Sequence, residues 1–143
     1  MKAKEPEALL TRNLIAETES LLAAQERALL ADHQLCASDL AILNRLEKKG
    51  PRSVNQIAPK VGLTSGSMTT AVQRLKRRHL VTTGKDPKDA RKVRVEITSE
   101  GQAALKALTA ERAALFTPLM ASLNPRESKV LVALLKKIRK ASR

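Results

Sequence analysis

The apolar positions of this chain fall into six helical stretches and one alternating stretch, and their spacing predicts the order of elements. From Glu7 to about Ala31 the pattern has no internal Gly or Pro, and Leu10, Leu14, Leu21, Leu22, Leu29 and Leu30 lay a greasy stripe along it. A helix that long, about 37 Å at 1.5 Å per residue, outruns a small core and is expected to lie against something else, such as a second copy of itself. Residues 1–6 read as a short frayed lead. After a connector over residues 32–37, Ser38 opens a second helix to about Lys49, with Leu40, Ile42, Leu43 and Leu46 inward. Gly50-Pro51 closes it, because Gly relieves strain at a helix end and Pro cannot continue the helix. Ser53-Val54-Asn55-Gln56 has the form of a capping box, so a short third helix starts there, with Ile57, Ala58 and Val61 apolar and Gly62 at its end. Pro59 inside it removes one backbone hydrogen bond.

Residues 64–81, TSGSMTTAVQRLKRRHLV, form the stretch around which the rest is organised. At about 100° per residue, Met68, Ala71, Val72 and Leu75 share one face and His79 continues the line. Gly66, Thr70, Gln73 and Arg77 fall opposite, flanked by Ser67, Thr69, Arg74, Lys76 and Arg78. Thr64 or Ser65 can cap the start. The outer face is thus small and hydroxylic at the beginning and basic at the end. Small residues let a helix approach a groove, hydroxyls and amides reach phosphates and base edges, and Arg brings forked donors. With the preceding short helix and its Gly-containing turn, this makes a helix-turn-helix.

Past Val81 the period changes from 3.6 to 2. Val93, Val95 and Ile97 alternate with Arg94 and Glu96, a half-buried strand, and residues 81–85 can pair with it. Between them the polar tip DPKDAR, with Lys88, Arg91 and the adjoining Lys92, makes the hairpin a wing. Ser99-x-x-Gln102 is expected to open a helix to about Phe116 or Thr117, which Thr117-Pro118 breaks or kinks. Asn124-Pro125-Arg126-Glu127 is a strong start signal for a final helix. Val130, Leu131, Leu134, Leu135 and Ile138 are its apolar side, and its basic last turns suit the helix dipole.

Composition sharpens this picture. At 143 residues the chain fits one domain, or one domain with a helical extension. Lys and Arg number 27 against 14 Asp and Glu, a net charge of +13 that predicts a polyanionic partner. Phe116 is the lone aromatic, which weighs against single-strand binding by base stacking and against an aromatic-anchored membrane-surface helix. One cysteine, Cys36, excludes an internal disulfide and a multi-cysteine zinc site, and His33 three residues earlier does not complete a metal site. No apolar run approaches about 18 residues and the first ten residues have no signal core, so the expected protein is soluble and cytoplasmic, without membrane contact. Two histidines, one cysteine, no Gly-rich phosphate loop and no clustered carboxylates argue against an enzyme, and no cofactor is expected.

The stretch LTSGSMTTAVQRLKRRHLV, followed by DPKDARKVRVEIT and SEGQAAL, resembles the multiple antibiotic resistance regulator (MarR) family. Its specific part is the pattern D-P-x-D-x-R…T-x-x-G, here Asp86, Pro87, Asp89, Arg91, Thr98 and Gly101. The resemblance is clear over residues 38–105 and extends to the flanking helices by order and length. It implies a mainly α fold with a small β-hairpin wing, a winged helix-turn-helix core plus a helical dimerisation region. Residues 1–31 would be an N-terminal dimerisation helix, 32–100 the DNA-binding lobe, and 101–143 the linker and C-terminal dimerisation helices. The function implied is that of a homodimeric regulator, a repressor, on palindromic double-stranded DNA, its affinity set by a small-molecule effector or an oxidant. Ser65, Ser67 and Thr69 would contact phosphates or base edges, with Thr70, Gln73, Arg74 and Arg77 on the exposed side. Asp89 would hold Arg91 for the minor groove, beside Lys88 and Lys92. His79 stands where the family often has Gly, so His79 must take that turn or the helix must end differently. The aromatic residues of many family effector pockets are missing, which argues against a phenolic ligand. Cys36 is expected as a small, partly buried packing residue, with an oxidant-sensing thiol as the alternative. The rival function is a sequence-indifferent architectural or nucleoid protein driven by the net charge.

Overall fold

The computed structural model describes residues 5–143; the frayed lead expected over residues 1–6 lies, for residues 1–4, outside the described residues. The elements run α1 (Glu7–Asp32), α2 (Ala37–Lys49), β1 (Arg52–Ser53), α3 (Val54–Val61), α4 (Ser65–Arg77), β2 (Val81–Lys85), β3 (Val93–Ile97), α5 (Ser99–Met120) and α6 (Pro125–Ala141). The fold is a winged helix: among the described residues there are six helices and a three-stranded antiparallel sheet in the order β1-β3-β2. The chain forms two compact units, divided after Leu108.

In the first unit, α2, α3 and α4 pack around one core with the hairpin. Leu30, Ile42, Leu43, Leu46, Ile57, Met68, Leu75, Val95 and Leu108 are all within 1% of complete burial. Every apolar residue predicted for the inner face of α4 is in that core. Removing such a face from water is what fixes the helix in place, at roughly 25 cal/mol per Å². The hairpin register is the one that alternation requires, with Val81 opposite Ile97 and Thr83 opposite Val95. The short β1 was not foreseen; it pairs Arg52 with Val95 and Ser53 with Arg94.

Helix ends follow the predicted chemistry in part. Ser53 and Gln56 form the expected capping box, and Thr64 rather than Ser65 caps α4, its hydroxyl accepting from the Ser67 N–H. His79 does take the turn, with φ of 59°. Three starts or stops differ. α2 begins one residue earlier than expected, with Cys36 at its N-cap and the Asp39 carboxylate accepting the Cys36 N–H at 3.0 Å. The cap of α5 is Thr98, not Ser99: its hydroxyl accepts the Gly101 N–H at 2.9 Å and donates to the His79 carbonyl at 2.6 Å. α5 also runs through Pro118 to Met120. A proline that close to a helix end removes one hydrogen bond of the last turn without breaking the preceding ones.

The second unit holds the rest of α5 and α6. At the predicted start of α6, Asn124 and Glu127 make a capping box, each accepting from the other's backbone N–H at 2.9 Å. The apolar side of α6 is not covered. Val130, Leu131, Leu134, Leu135 and Ile138 are 41–51% exposed. In the first unit, Leu9, Leu10, Leu14, Ile15 and Leu21 of α1 are likewise exposed. Among the described residues no helix is long and apolar enough to cross a membrane.

Candidate nucleic-acid interface

Burying Met68, Ala71, Val72 and Leu75 turns the opposite side of α4 outward. Ser65, Ser67, Thr69, Thr70, Gln73 and Arg77 are all exposed. Thr69 and Thr70 donate their hydroxyl protons to the Ser65 and Gly66 carbonyls, at 2.9 and 3.1 Å, which leaves their oxygens facing outward as acceptors. Gly66 has open space where a side chain would stand, so the backbone there can come close to a partner.

Arg74 is on the exposed side as expected, its side chain 42% exposed, but it is paired there. Its Nη2 donates to Asp39 Oδ1 at 2.5 Å and lies 3.6 Å from Cys36 Sγ. Donating to this carboxylate raises the already high pKa of the guanidinium. One turn on, Arg78 forks onto two carbonyls of the connector after α1, Gln34 at 2.7 Å and His33 at 2.8 Å. Cys36 is exposed at the start of α2 rather than a partly buried packing residue.

The wing is built from its own aspartates. Asp86 Oδ1 accepts the backbone N–H of Lys88 at 2.8 Å and of Asp89 at 3.3 Å, and the turn is closed by hydrogen bonds between Asp86 N–H and the Lys92 carbonyl and between Lys92 N–H and the Asp89 carbonyl. Asp89 then grips Arg91 with both oxygens, taking Nε at 3.1 Å and Nη2 at 3.3 Å. Those bonds hold the Asp89 carboxyl below the usual carboxylate range, with the Arg91 backbone N–H adding to the effect. The Arg91 side chain is 91% exposed, so the grip orients the guanidinium without covering it. Lys88 and Lys92 are exposed beside it.

The Thr98 and Gly101 positions serve the base of the wing. A methyl group on Gly101 would overlap the Leu80 carbonyl oxygen, and Thr98 ties the end of β3 to the His79 turn. The strand-to-α5 junction can approach the end of α4 only if position 101 has no side chain. Two further cations were missed from sequence. Arg52 and Arg94, with Lys88, line a groove of about 380 Å³ between the start of α3 and the wing. They come together through the β1–β3 pairing, which is too short to leave a periodic signal. Asp39 was also missed, although its place three residues after the N-cap is a readable capping position.

An exposed, hydroxylic and basic helix set beside a cation-tipped hairpin defines a winged-helix DNA-binding protein. Residues 35–101 match the winged helix DNA-binding domain family. The chain is 34% identical over 107 residues to the HTH-type transcriptional repressor NicR of Pseudomonas putida, covering 75% of this chain and 68% of that one. Among solved structures it is similar to BpsR of Bordetella bronchiseptica, whose DNA binding is regulated by 6-hydroxynicotinic acid, at 25% identity and a TM-score of 0.77 over 91% of this chain and 98% of that chain. The fold is also that of apo MarR from E. coli, at 20% identity and a TM-score of 0.79 over 96% and 98% of the two chains. The chain belongs to the MarR family of winged helix-turn-helix transcriptional regulators. It is a DNA-binding regulator and not an enzyme.

Proposed function

We propose that two copies of this chain bind a palindromic operator as a repressor, with α4 of each in the major groove and Arg91 in the flanking minor groove. The observation that carries this reading is the wing tip. An arginine held by both oxygens of Asp89, yet 91% exposed, is prepared for a narrow groove, where the negative potential is enhanced. On α4, Ser65, Ser67 and Thr69 are assigned to phosphates, and Thr70, Gln73 and Arg77 to base edges. Lys88 and Lys92 are assigned to the backbone beside the wing. Paired α4 helices about 34 Å apart would meet adjacent turns of B-DNA.

The exposed apolar faces of α1 and α6 support the dimer. Contiguous patches of this kind mark interaction surfaces, and a second copy covers them by symmetry. The residue ranges 1–31, 32–100 and 101–143 are assigned accordingly to dimerisation, DNA binding, and linker with dimerisation. Regulation of BpsR by a small acid supports an effector here, acting as a population shift: a ligand that favours another spacing of the two α4 helices lowers affinity by its preference for that form. An apolar groove of about 540 Å³ in the second unit, lined by Phe116 and Met120 among others, offers room for such a molecule. Cytoplasmic placement follows from this function.

Selection of bound duplexes from a random library tests the reading. A two-fold symmetric consensus is the expected result. Equal recovery of all sequences would instead establish the architectural, sequence-indifferent alternative.

A further inference from the structure

Four cations crowd the end of the recognition helix and its cap: Arg74, Lys76, Arg77 and Arg78. The structure treats them unequally. Lys76 and Arg77 are exposed and unpaired among the described residues, whereas Arg74, its side chain still 42% exposed, pairs with Asp39 of α2, and Arg78 turns back onto the segment that joins α1 to α2. Arg78 meets only carbonyl oxygens there and keeps its net charge. Arg74 meets a carboxylate that is 1% exposed and fully committed. Asp39 Oδ2 accepts the Cys36 N–H at the start of α2, and Oδ1 accepts Arg74, so one buried side chain pins two helices together.

We propose that Asp39 is a specificity-determining positioning residue that withdraws Arg74 from the DNA contacts of α4. This rests on the DNA-binding reading above. A free arginine on this face would gather phosphates in any register and add affinity for every sequence alike, because phosphate contacts carry no sequence information. Paired with a buried carboxylate, the same arginine contributes no net charge to that attraction. It fixes the rotation of α4 against α2, so that Gln73 and Arg77 present one orientation to the bases. The pairing is stable because breaking it would leave Asp39 buried and uncompensated. The connector at residues 33–36 lies between this pin and the Arg78 fork, which ties the setting of α4 to the end of α1.

The test compares the full chain with Asp39→Asn, Arg74→Gln and the double variant. Each is titrated with its selected duplex and with a scrambled duplex over a range of salt concentrations. Asn keeps the shape of Asp and an oxygen for the cap, and removes the charge. For Asp39→Asn the logarithmic salt slope on scrambled duplex should steepen by about 0.9 for each bound protomer, as a released arginine finds a phosphate. Its preference for the selected duplex should fall. Arg74→Gln should leave the wild-type slope unchanged, and the double variant should return to it. A slope that becomes shallower by about 0.9 per protomer in Arg74→Gln shows that Arg74 already contacts phosphate, and overturns the proposal even if Asp39→Asn does not fold. Hydrogen exchange of the DNA-free proteins is read in parallel. Exchange over residues 65–77 should rise severalfold in Asp39→Asn and stay unchanged over residues 125–141. Unaltered exchange over residues 65–77 would overturn the pin. Failure of the wild type to bind either duplex would sink the DNA-binding reading, with the exchange result still deciding the pin.

Discussion

α4 and α6 look alike along the sequence and stand at opposite extremes of burial. Both are amphipathic and both end in cations. Met68, Ala71, Val72 and Leu75 of α4 are at most 4% exposed, whereas Leu131, Leu134 and Ile138 of α6 are 41–51% exposed. Periodicity therefore shows that a helix has a face to cover, and says nothing of what covers it. The inner face of α4 is satisfied within the chain, which leaves its outer face open for the DNA contacts we propose. The face of α6 is left unsatisfied by a single chain, and the partner we propose for it is a second copy.

Substitutions separate the two cases. Leu75→Ala should lower unfolding free energy by about 2–5 kcal/mol in denaturant titrations, to the same degree at every protein concentration. A loss below about 1 kcal/mol would show that α4 is not held by its own core. Leu134→Asp should act differently: sedimentation should report a monomer with the winged-helix lobe still folded, and affinity for a two-fold site should drop by roughly 10²-fold or more as paired binding is lost. Unchanged sedimentation would remove α6 from the dimer interface. Gly101→Ala should destabilise by about 1–3 kcal/mol, since its methyl group meets the Leu80 carbonyl where β3 returns to α5. A neutral result in thermal melts would mean that this junction yields easily.

Smaller effects concern the wing. Arg91→Ala should make the logarithmic salt dependence of DNA affinity shallower by about 0.9 per protomer while leaving unfolding unchanged, and an identical slope would take the wing out of the contact. The Asp89–Arg91 pair also has a defined pH window. Because Asp89 titrates below its ordinary value, the pair's contribution is fully present above an unfolded carboxyl pKa of about 3.9, and it is lost as pH falls through the lower folded value. Arg91 side-chain N–H resonances should therefore hold steady from neutral pH to about pH 4 and shift only below it. A transition nearer neutrality would contradict the grip.

The wing and the inner face of α4 were legible because each rests on local order. Alternation set the partners Val81 and Ile97, the Asp86 turn needs only its neighbours, and Asn124 and Glu127 cap across three residues. What escaped depends on distance or on close rivals. Thr98 and Ser99 are adjacent hydroxyls, and only the approach of the His79 carbonyl selects the first. β1 is two residues long and has no period. Arg74 meets Asp39 across 35 positions of chain, so its spacing placed it rightly on an exposed face and gave no sign of the buried partner that holds it. Pro118 marked a break that the end of α5 tolerates.

Hydroxyl-radical footprinting of a selected duplex tests most directly that paired α4 helices and arginine-tipped wings read one symmetric site. Wild-type protein should protect two patches related by two-fold symmetry and centred about 10–10.5 base pairs apart, with outer flanks that disappear in Arg91→Ala. Continuous protection with no symmetry, equal on any sequence and indifferent to Arg91, would contradict it.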